Sequence, residues 1–337
     1  GGATYNAGLQ AGPIRPDGSA ADVSDPRYRI YKIRKVDKLS FQLMTTAEQE
    51  RLRKDFMDWP AGPYPQGSGA PWVDRNNNGI YEPNFDDWLL NGASTASDIP
   101  YLPGDETVWF VSNDLDRART QNLYGSVPIG LELHTLVWAY DRVGPLSNII
   151  FTKYTIINKG TDDLTEAYFS KWSDPDLGDA WDDFVGIDST LSLGYVYNGL
   201  AQDETYGVPP AAGYDFFQGP IVPSPGDKAH YNFGMKDGYK NLPVSTFAFY
   251  INGSSIYNDP DLKQPSGTEQ MYNYMQGKLW NGASFIDPTS GSTVKIALAG
   301  DPITRQGWVD GIVSTPGDRR ILMTAGPFTL ARGDTQE

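Results

Sequence analysis

Short segments in which apolar and polar residues alternate recur along most of this chain. The pattern is clearest over residues 244–252, where Phe247, Phe249 and Ile251 occupy every second position. Successive side chains of a β-strand point to opposite faces, so this pattern predicts a strand. Strands are likewise predicted at residues 27–35, 107–112, 129–140, 148–158, 193–198, 294–299 and 320–324.

Two segments have the helical period instead. Residues 45–59 begin with Thr45 and Glu48 in capping-box spacing, carry their apolar residues on one face and end before Pro60. Residues 268–279 also repeat apolar residues at helical spacing. Both segments predict short helices.

The segments are separated by turn-forming residues, and the 337-residue chain contains 36 Gly and 25 Pro. This organisation predicts a mainly β fold, an antiparallel β-sandwich with long Gly/Pro/Asp-rich loops and two short helices. We expect an extended N-terminal arm over residues 1–26 and a single calcium-stabilised β-rich domain over residues 27–337. A sub-boundary within residues 200–240 is the alternative, and residues 208–225 are expected to form a loop.

Charge and composition limit the partners and the kinds of site that this chain can have. The net charge is −15, and because nucleic acids and anionic membranes are bound by basic surfaces, neither is an expected partner. There is no cysteine, which excludes disulfides and thiolate metal sites. No apolar run has the length of a membrane span, so we expect no membrane insertion. The sequence begins at Gly1 without a signal peptide, and we expect a processed form or a fragment.

The clearest chemical motif is a run of oxygen-bearing residues over positions 74–82. Asp and Asn alternate with other residues and are followed by Gly79, the spacing with which EF-hand-type loops direct oxygens to one calcium ion. The twelfth position is Phe85 rather than the usual acid. An Asn-Gly turn stabilised by its own side chains is the alternative. The expected calcium ligands are Asp74, Asn76, Asn78, the Ile80 carbonyl, and Glu82 or Asp86.

A second candidate lies at residues 172–188, where six aspartates and no basic residue are interleaved with large apolar side chains. Clustered like charges repel one another, whereas the apolar residues favour burial. A calcium ion would satisfy both tendencies. A solvated acidic loop and catalytic carboxylates are the alternatives, and Asp188 alternatively caps a turn. The expected ligands of this structural site are Asp174, Asp176, Asp179, Asp182, Asp183 and Asp188.

Other chemistry has weaker support. The two histidines, His134 and His230, lack H-E-x-x-H spacing, and no G-x-S-x-G elbow or phosphate-binding loop is present. Paired acids can cleave glycosides, and Glu106 and Glu132 are conceivable acids for that reaction. No catalytic residue is assigned.

Several segments, in this order, resemble a known group of proteins: residues 74–82, 123–130, 158–160, 172–188, 213–220, 300–302 and 326–337. The series is similar to that of large, mostly uncharacterised secreted proteins of Bacteroidota, Ignavibacteria and related lineages, which carry a type IX secretion sorting domain at the C-terminus. The resemblance implies export through the outer membrane, followed by surface anchoring or release. We expect such relatives to continue beyond residues 333–337, and no sorting domain is present in this chain.

These observations predict a non-enzymatic, calcium-stabilised module located outside the cell or at its outer surface. Its expected role is adhesive or structural, as a subunit of a surface layer or filament. The expected partners are calcium and copies of the chain or other surface proteins. A carbohydrate-binding or glycoside-hydrolysing protein, with glycans as partners, is the alternative function, because nine Trp and twenty Tyr can stack on sugars.

Overall fold

The structure is a computed structural model that describes residues 7–61, 69–92 and 96–337. It is mainly β, which confirms the predicted fold class. The strands of the described chain are β1 (Gln10–Ala11), β2 (Tyr31–Arg34), β3 (Trp72–Val73), β4 (Ile99–Pro100), β5 (Glu106–Asn113), β6 (Leu131–Ala139), β7 (Ile150–Asn158), β8 (Leu164–Ser173), β9 (Asp183–Asp188), β10 (Leu193–Asn198), β11 (Ala211–Asp215), β12 (Ile221–Tyr231), β13 (Gly234–Asn241), β14 (Thr246–Ile251), β15 (Phe285–Ile286), β16 (Thr293–Val294), β17 (Arg319–Leu330) and β18 (Thr335–Gln336). Its helices are α1 (Lys38–Gln42), α2 (Thr46–Met57), α3 (Phe85–Asn91), α4 (Arg117–Tyr124) and α5 (Pro265–Met275).

The chain forms two compact units. The N-terminal unit contains Leu9–Asp116 and Ile129–Thr161, and the C-terminal unit contains Arg117–Pro128 and Asp162–Glu337 together with residues 7–8. Each unit has its own cluster of buried apolar side chains. The expectation of one domain over residues 27–337 stays a prediction.

The N-terminal unit is built on antiparallel strands β5, β6 and β7, with β1 and β2 paired along the other edge of β5. Buried and partly exposed residues alternate along β5, and Trp109 lies in the core as the strand pattern predicts. Helix α2 adds Phe56 to the same core. Its predicted capping box is present, because Glu48 accepts from the Thr45 amide at 2.8 Å and the Thr45 hydroxyl accepts from the Glu48 amide.

The C-terminal unit contains two three-stranded antiparallel sheets, β9–β10–β11 and β8–β17–β14. Apolar residues of both sheets share one core, in which Val185 and Val196 belong to the first sheet and Phe247 to the second. Met323 of β17 lies against Gly194 of β10, so the two sheets face each other as in a sandwich.

The structure differs from the sequence pattern in several places, among them strands β12 and β13, which were not predicted. Strand β11 lies within residues 208–225, which were expected to form a loop; its Ala-, Gly- and Asp-containing sequence has low β-propensity, and pairing with β10 supplies the strand geometry. The predicted strand at residues 294–299 is short, since β16 ends at Val294. Helices α1, α3 and α4 were not indicated, and each has only five to eight residues.

No helix in the described part of the chain combines the length and the apolar character required to span a membrane.

Candidate metal centres

The loop at residues 74–82 lies in the N-terminal unit between β3 and α3, and its side chains fold back onto its own backbone. Asp74 Oδ2 accepts a hydrogen bond from the Gly79 amide at 2.8 Å. Asn76 Oδ1 and Asn78 Oδ1 each accept from the amide two residues further on, at 3.0 and 2.7 Å. Gly79 has φ +74°, a left-handed conformation that glycine adopts without a steric cost. The Asn-Gly turn considered as the alternative is therefore formed, and three of the expected ligand side chains lie on it.

The two acids expected to close this ligand set are placed differently. Glu82 Oε2 accepts from the side-chain amides of Asn76 and Asn78 at 3.0 and 2.8 Å, so Glu82 lies with the loop. Asp86 lies in the first turn of α3 and pairs with Arg53 at 2.8 Å. The hydrogen bond from Arg53 lowers the pKa of Asp86. The geometry therefore favours Glu82 over Asp86 as a ligand.

One carboxylate oxygen of the loop is unused. Asp74 Oδ1 is buried and accepts no hydrogen bond from the described residues. Asp98, which the spacing did not indicate, is 2% exposed and accepts from the Arg75 and Glu82 amides, both at 2.9 Å. Asp98 thus braces the two ends of the loop, while the Asp74 oxygen remains available to a cation.

The six aspartates of residues 172–188 do not form a single cluster. Asp188 accepts from the Thr190 amide and hydroxyl at 2.9 and 2.6 Å, which is the turn cap considered as the alternative for this residue. Asp179 accepts from the Trp181 amide at 3.2 Å at the start of a short 3₁₀ turn. Both carboxylates stabilise local turns, and the other four aspartates belong to two further groups.

The first of these groups combines Asp174 and Asp176 with Asp318, whose carboxylate oxygens lie within 4.8 Å of one another. Arg320 lies among them, with Nε 3.0 Å from Asp174 Oδ1 and Nη1 2.8 Å from Asp318 Oδ1. Burial raises the pKa of Asp174, although Arg320 opposes that shift. A guanidinium of the protein itself therefore supplies the counter-charge in this group.

The second group contains Asp182 and Asp183, which are 3% and 1% exposed. Asp182 Oδ2 accepts from Asn198 Nδ2 at 2.7 Å, and Asp183 Oδ2 accepts from the Leu177 amide at 3.0 Å. The Oδ1 atom of each is buried and accepts no hydrogen bond from the described residues. Burial raises the pKa of Asp183 to about 7, and the neighbouring charge of Asp182 adds to the shift.

A distant residue, Asp203, completes this group. Its Oδ2 accepts from Asn198 Nδ2 at 3.3 Å and from the Asp179 amide at 3.2 Å, while the Thr205 and Tyr206 amides donate to Oδ1. A Cβ atom on Gly178 would lie 2.2 Å from Asp203 Oδ2, so only glycine permits this approach. We name Asp182, Asp183, Asn198 and Asp203 the buried aspartate group.

Sequence reasoning missed Asn198 and Asp203 because they come from the end of β10 and the turn after it, outside the acidic stretch. Nothing in their local sequence marks them as members of this group; the pairing of β9 with β10 sets Asn198 opposite Asp183. Within the described residues, no lysine or arginine forms an ion pair with the three aspartates of the group.

A buried aspartate elsewhere in the same unit is neutralised differently. Asp310 is paired with the fully buried guanidinium of Arg319, at 3.0 Å from Nε and 3.1 Å from Nη2. Asp310 Oδ2 also accepts from the Val185 amide at 3.0 Å. This bidentate pair gives the Asp310 carboxylate a positively charged partner. The aspartates of the buried aspartate group have no such partner among the described residues.

The apolar residues of the acidic stretch are only partly buried. Phe184, Val185 and Ile187 lie in the core, as expected. Trp172 and Trp181, in contrast, are 39% and 65% exposed, so the expectation that they are buried was wrong. Trp181 occupies the short 3₁₀ turn before β9, where its side chain is outside the alternation that directs residues of β9 inward.

The two conceivable glycosidase acids are far apart. Glu132 of β6 pairs with Asn113, at the opposite end of β5 from Glu106; at about 3.3 Å per residue, the separation is about 23 Å. Carboxylates that cleave glycosides lie about 5–10 Å apart, so the suggested pairing of these acids is wrong.

Glu132 has a different environment. Its carboxylate is buried and contacts His134 Nε2 at 2.7 Å and Lys159 Nζ at 2.6 Å. It also accepts from the Ile14 amide at 2.6 Å. Burial opposes its ionisation, but the hydrogen bonds from His134 and Lys159 prevail and lower the pKa of Glu132. Glu132 therefore attaches the segment around Ile14 to the sheet of the N-terminal unit.

Comparison with protein families, curated proteins and solved structures finds no match to this chain.

Proposed function

We propose that this protein is a non-enzymatic, calcium-stabilised structural module that works outside the cell or at its outer surface. The observation that carries the proposal is the buried aspartate group, in which Asp182 and Asp183 each present a buried carboxylate oxygen that has no hydrogen-bond donor among the described residues. An unpaired carboxylate in a buried site is unfavourable unless it is neutralised by a proton or a cation. Asp310, in contrast, is neutralised by Arg319 of the same unit.

Calcium fits this group better than other common metals. The group offers carboxylate oxygens from three aspartates, with no histidine or cysteine ligand, and Asn198 donates its side-chain amide to Asp182 and Asp203. Oxygen donors suit hard cations, and calcium accepts six to eight of them in irregular geometry. The charge of Asp176 also contributes to the raised pKa of Asp183, so a bound cation would relieve repulsion from Asp176 as well.

The loop at residues 74–82 provides a second calcium site in the proposal. Asp74, Asn76, Asn78 and the Ile80 carbonyl are in the order expected of such loops, and Glu82, which accepts from both asparagine side chains, would close the set. Isolated loops of this type in extracellular proteins bind calcium with dissociation constants on the order of 10⁻⁴–10⁻³ M. Such affinities suit a compartment with abundant calcium.

The extracellular location and the assembly role rest on more general arguments. A chain without cysteine cannot be stabilised by disulfide cross-links, and bound calcium is another way to stabilise a secreted domain. The resemblance to secreted proteins with a type IX sorting domain points to the same compartment. We propose a structural or adhesive subunit of a surface layer or filament as its role.

Calcium titration calorimetry tests the metal assignment. The wild-type protein should bind two calcium ions per chain, and Asp203→Asn should bind one, because it weakens the buried aspartate group while keeping the side-chain shape. Asp188→Asn is the matched control and should still bind two, since Asp188 caps a turn. Two bound ions in Asp203→Asn would contradict the proposed ligand set.

Electron microscopy of native material tests the assembly role. We expect ordered layers or filaments in calcium and their loss after chelation. Particles that remain monomeric under both conditions would argue against a structural subunit.

Carbohydrate binding is the second candidate function, favoured by the exposed indole of Trp181. Aromatic rings that face solvent can stack on sugar rings, and a glycan array would show whether Trp181→Ala lowers retention. Unchanged retention would remove this support.

A further inference from the structure

We infer that the C-terminal unit carries a binding site for acidic sugars. A groove with a volume of about 470 Å³ lies between β8, the residues that follow α5, and the β15–β16 pair. Small-molecule sites usually have volumes of about 300–1,000 Å³. The residues that matter here are Glu166, Tyr168, Gln276, Lys278, Ser284 and Lys295. This inference is independent of the calcium proposal, because the groove and the metal centres share no residue.

The groove is basic although the protein is acidic. Lys278 and Lys295 line it together with a single acid, Glu166, whereas the chain as a whole has a net charge of −15. Lys278 Nζ donates to Gln276 Oε1 at 2.7 Å. In the described chain, neither lysine forms an ion pair, unlike Lys32, which pairs with Glu106 at 2.7 Å. An ammonium group carries three donors, so both lysines can donate to a carboxylate of a ligand.

The groove also has a rigid aromatic wall. The ring of Tyr168 meets the ring of Tyr272 edge to face, with centroids 5.6 Å apart and planes at 80°. The Tyr272 hydroxyl donates to the Glu166 carbonyl at 2.7 Å. This hydrogen bond fixes the Tyr272 ring and the backbone at Glu166. A fixed tyrosine offers an apolar face and a polar edge at low entropic cost, as sugar rings require.

The backbone at the edge of the groove is strained. Glu166 has φ +53°, a left-handed conformation that is unusual for a residue other than glycine. It lies where the register of β8 against β17 is irregular, between the pairs formed by Leu164 and Ala167. Strained backbone of this kind is concentrated at ligand sites, because it places a side chain where a regular strand would not. Here it places Glu166 on the groove with the two lysines.

These features together match a uronic acid residue. Its carboxylate would pair with Lys278 and Lys295, its hydroxyl groups with Gln276, Ser284 and Glu166, and its apolar ring face with Tyr168. A neutral sugar would form no charge-assisted hydrogen bond with the two lysines, and a simple carboxylate would leave the aromatic wall and the hydroxyl partners unused.

Binding of D-glucuronate, D-glucose and acetate, measured by NMR titration at constant calcium, tests the ligand class. We expect glucuronate to bind at least about tenfold more tightly than either of the others, consistent with charge-assisted hydrogen bonds and sugar contacts acting together. Equal affinity for glucose would overturn the requirement for an anion. Equal affinity for acetate would overturn recognition of the sugar.

Paired lysine variants test the location. Lys278→Gln/Lys295→Gln should weaken glucuronate binding at least about tenfold, whereas Lys35→Gln/Lys38→Gln, with the same change in net charge on exposed residues of the N-terminal unit, should not. Both double variants should keep the wild-type melting temperature in calcium, which shows that they fold. Equal weakening in both double variants, or no weakening in either, would contradict the proposed location.

Discussion

The loop at residues 74–82 and the buried aspartate group both gather carboxylates and side-chain amides, but they do so in different surroundings. The loop takes its oxygens from neighbouring positions and satisfies most of them with its own backbone amides. The buried group takes Asp182 and Asp183 from one segment and Asp203 from another, and two of its oxygens have no donor within the described chain. The same chemistry is therefore local and exposed in one unit, and non-local and buried in the other.

This difference predicts different dependence on calcium. The loop has a hydrogen-bonded turn that exists without an ion, so calcium adds little to its stability. The buried group places like charges where water cannot screen them, and its electrostatic repulsion is large until a cation or a proton arrives. We therefore expect the C-terminal unit to need calcium for its stability and the N-terminal unit to need it much less.

The largest expected effect concerns Asp310, a buried carboxylate outside both regions that an arginine neutralises. Arg319→Met removes the guanidinium from this buried pair and keeps a side chain of similar length, so Asp310 becomes an unpaired buried charge. The expected loss of unfolding free energy is about 3–5 kcal/mol. Urea unfolding should show the same loss in calcium and in EDTA, because the protein neutralises Asp310 by itself. A loss that calcium repairs would show that Asp310 also belongs to a metal centre.

A smaller effect, with opposite signs in the two conditions, is expected for Asp183→Asn. Its folded pKa is raised from 3.8 to about 7, so the folded state binds the extra proton and the apo protein loses stability as pH rises from about 4 to about 7. In EDTA at pH 8, Asp183→Asn should therefore melt at a higher temperature than wild type, because the amide carries no charge. In calcium it should melt at a lower temperature, because a ligand is lost. The same sign in both conditions, measured by differential scanning calorimetry, would contradict this account.

The smallest effect is expected in the loop. Asp74→Asn keeps an acceptor for the Gly79 amide and removes the charge, so the expected loss of stability in calcium is about 1 kcal/mol or less. Calorimetric titration should show one fewer bound calcium ion. Asp86→Asn is the matched control; it loses an exposed ion pair with Arg53, worth at most about 1 kcal/mol, and should bind the full number of ions. One fewer ion in the control instead would restore Asp86 as the ligand.

Many of the strands and the two longer helices could be predicted because their signals are local. Alternation over residues 244–252 and 107–112 predicts β14 and β5, and the capping box at Thr45 marks the start of α2. The spacing at residues 74–82 likewise indicates its turn, since each acceptor and its donor lie within a few residues. Strand β11 was missed because its geometry comes from β10 and not from its own residues.

The acidic stretch shows where local reasoning fails. It correctly marks residues 172–188 as exceptional, but it treats six aspartates as one ligand set. Sheet pairing separates them, so that Asp174 meets Arg320 and Asp182 meets Asn198. These partners are 146 and 16 positions away along the sequence. No spacing rule within the stretch can find them.

The central claim is that calcium neutralises the buried aspartate group. Hydrogen exchange of the whole chain, followed by mass spectrometry in calcium and in EDTA, measures this most directly. At a free calcium concentration 100 times the dissociation constant, one site should add roughly 2.7 kcal/mol. Peptides over residues 174–207 should therefore exchange about 100-fold more slowly in calcium when exchange requires loss of the site. Peptides over the Asp310–Arg319 pair should change less, and those of α2 should not change. Equal exchange over residues 174–207 in both conditions would contradict the claim.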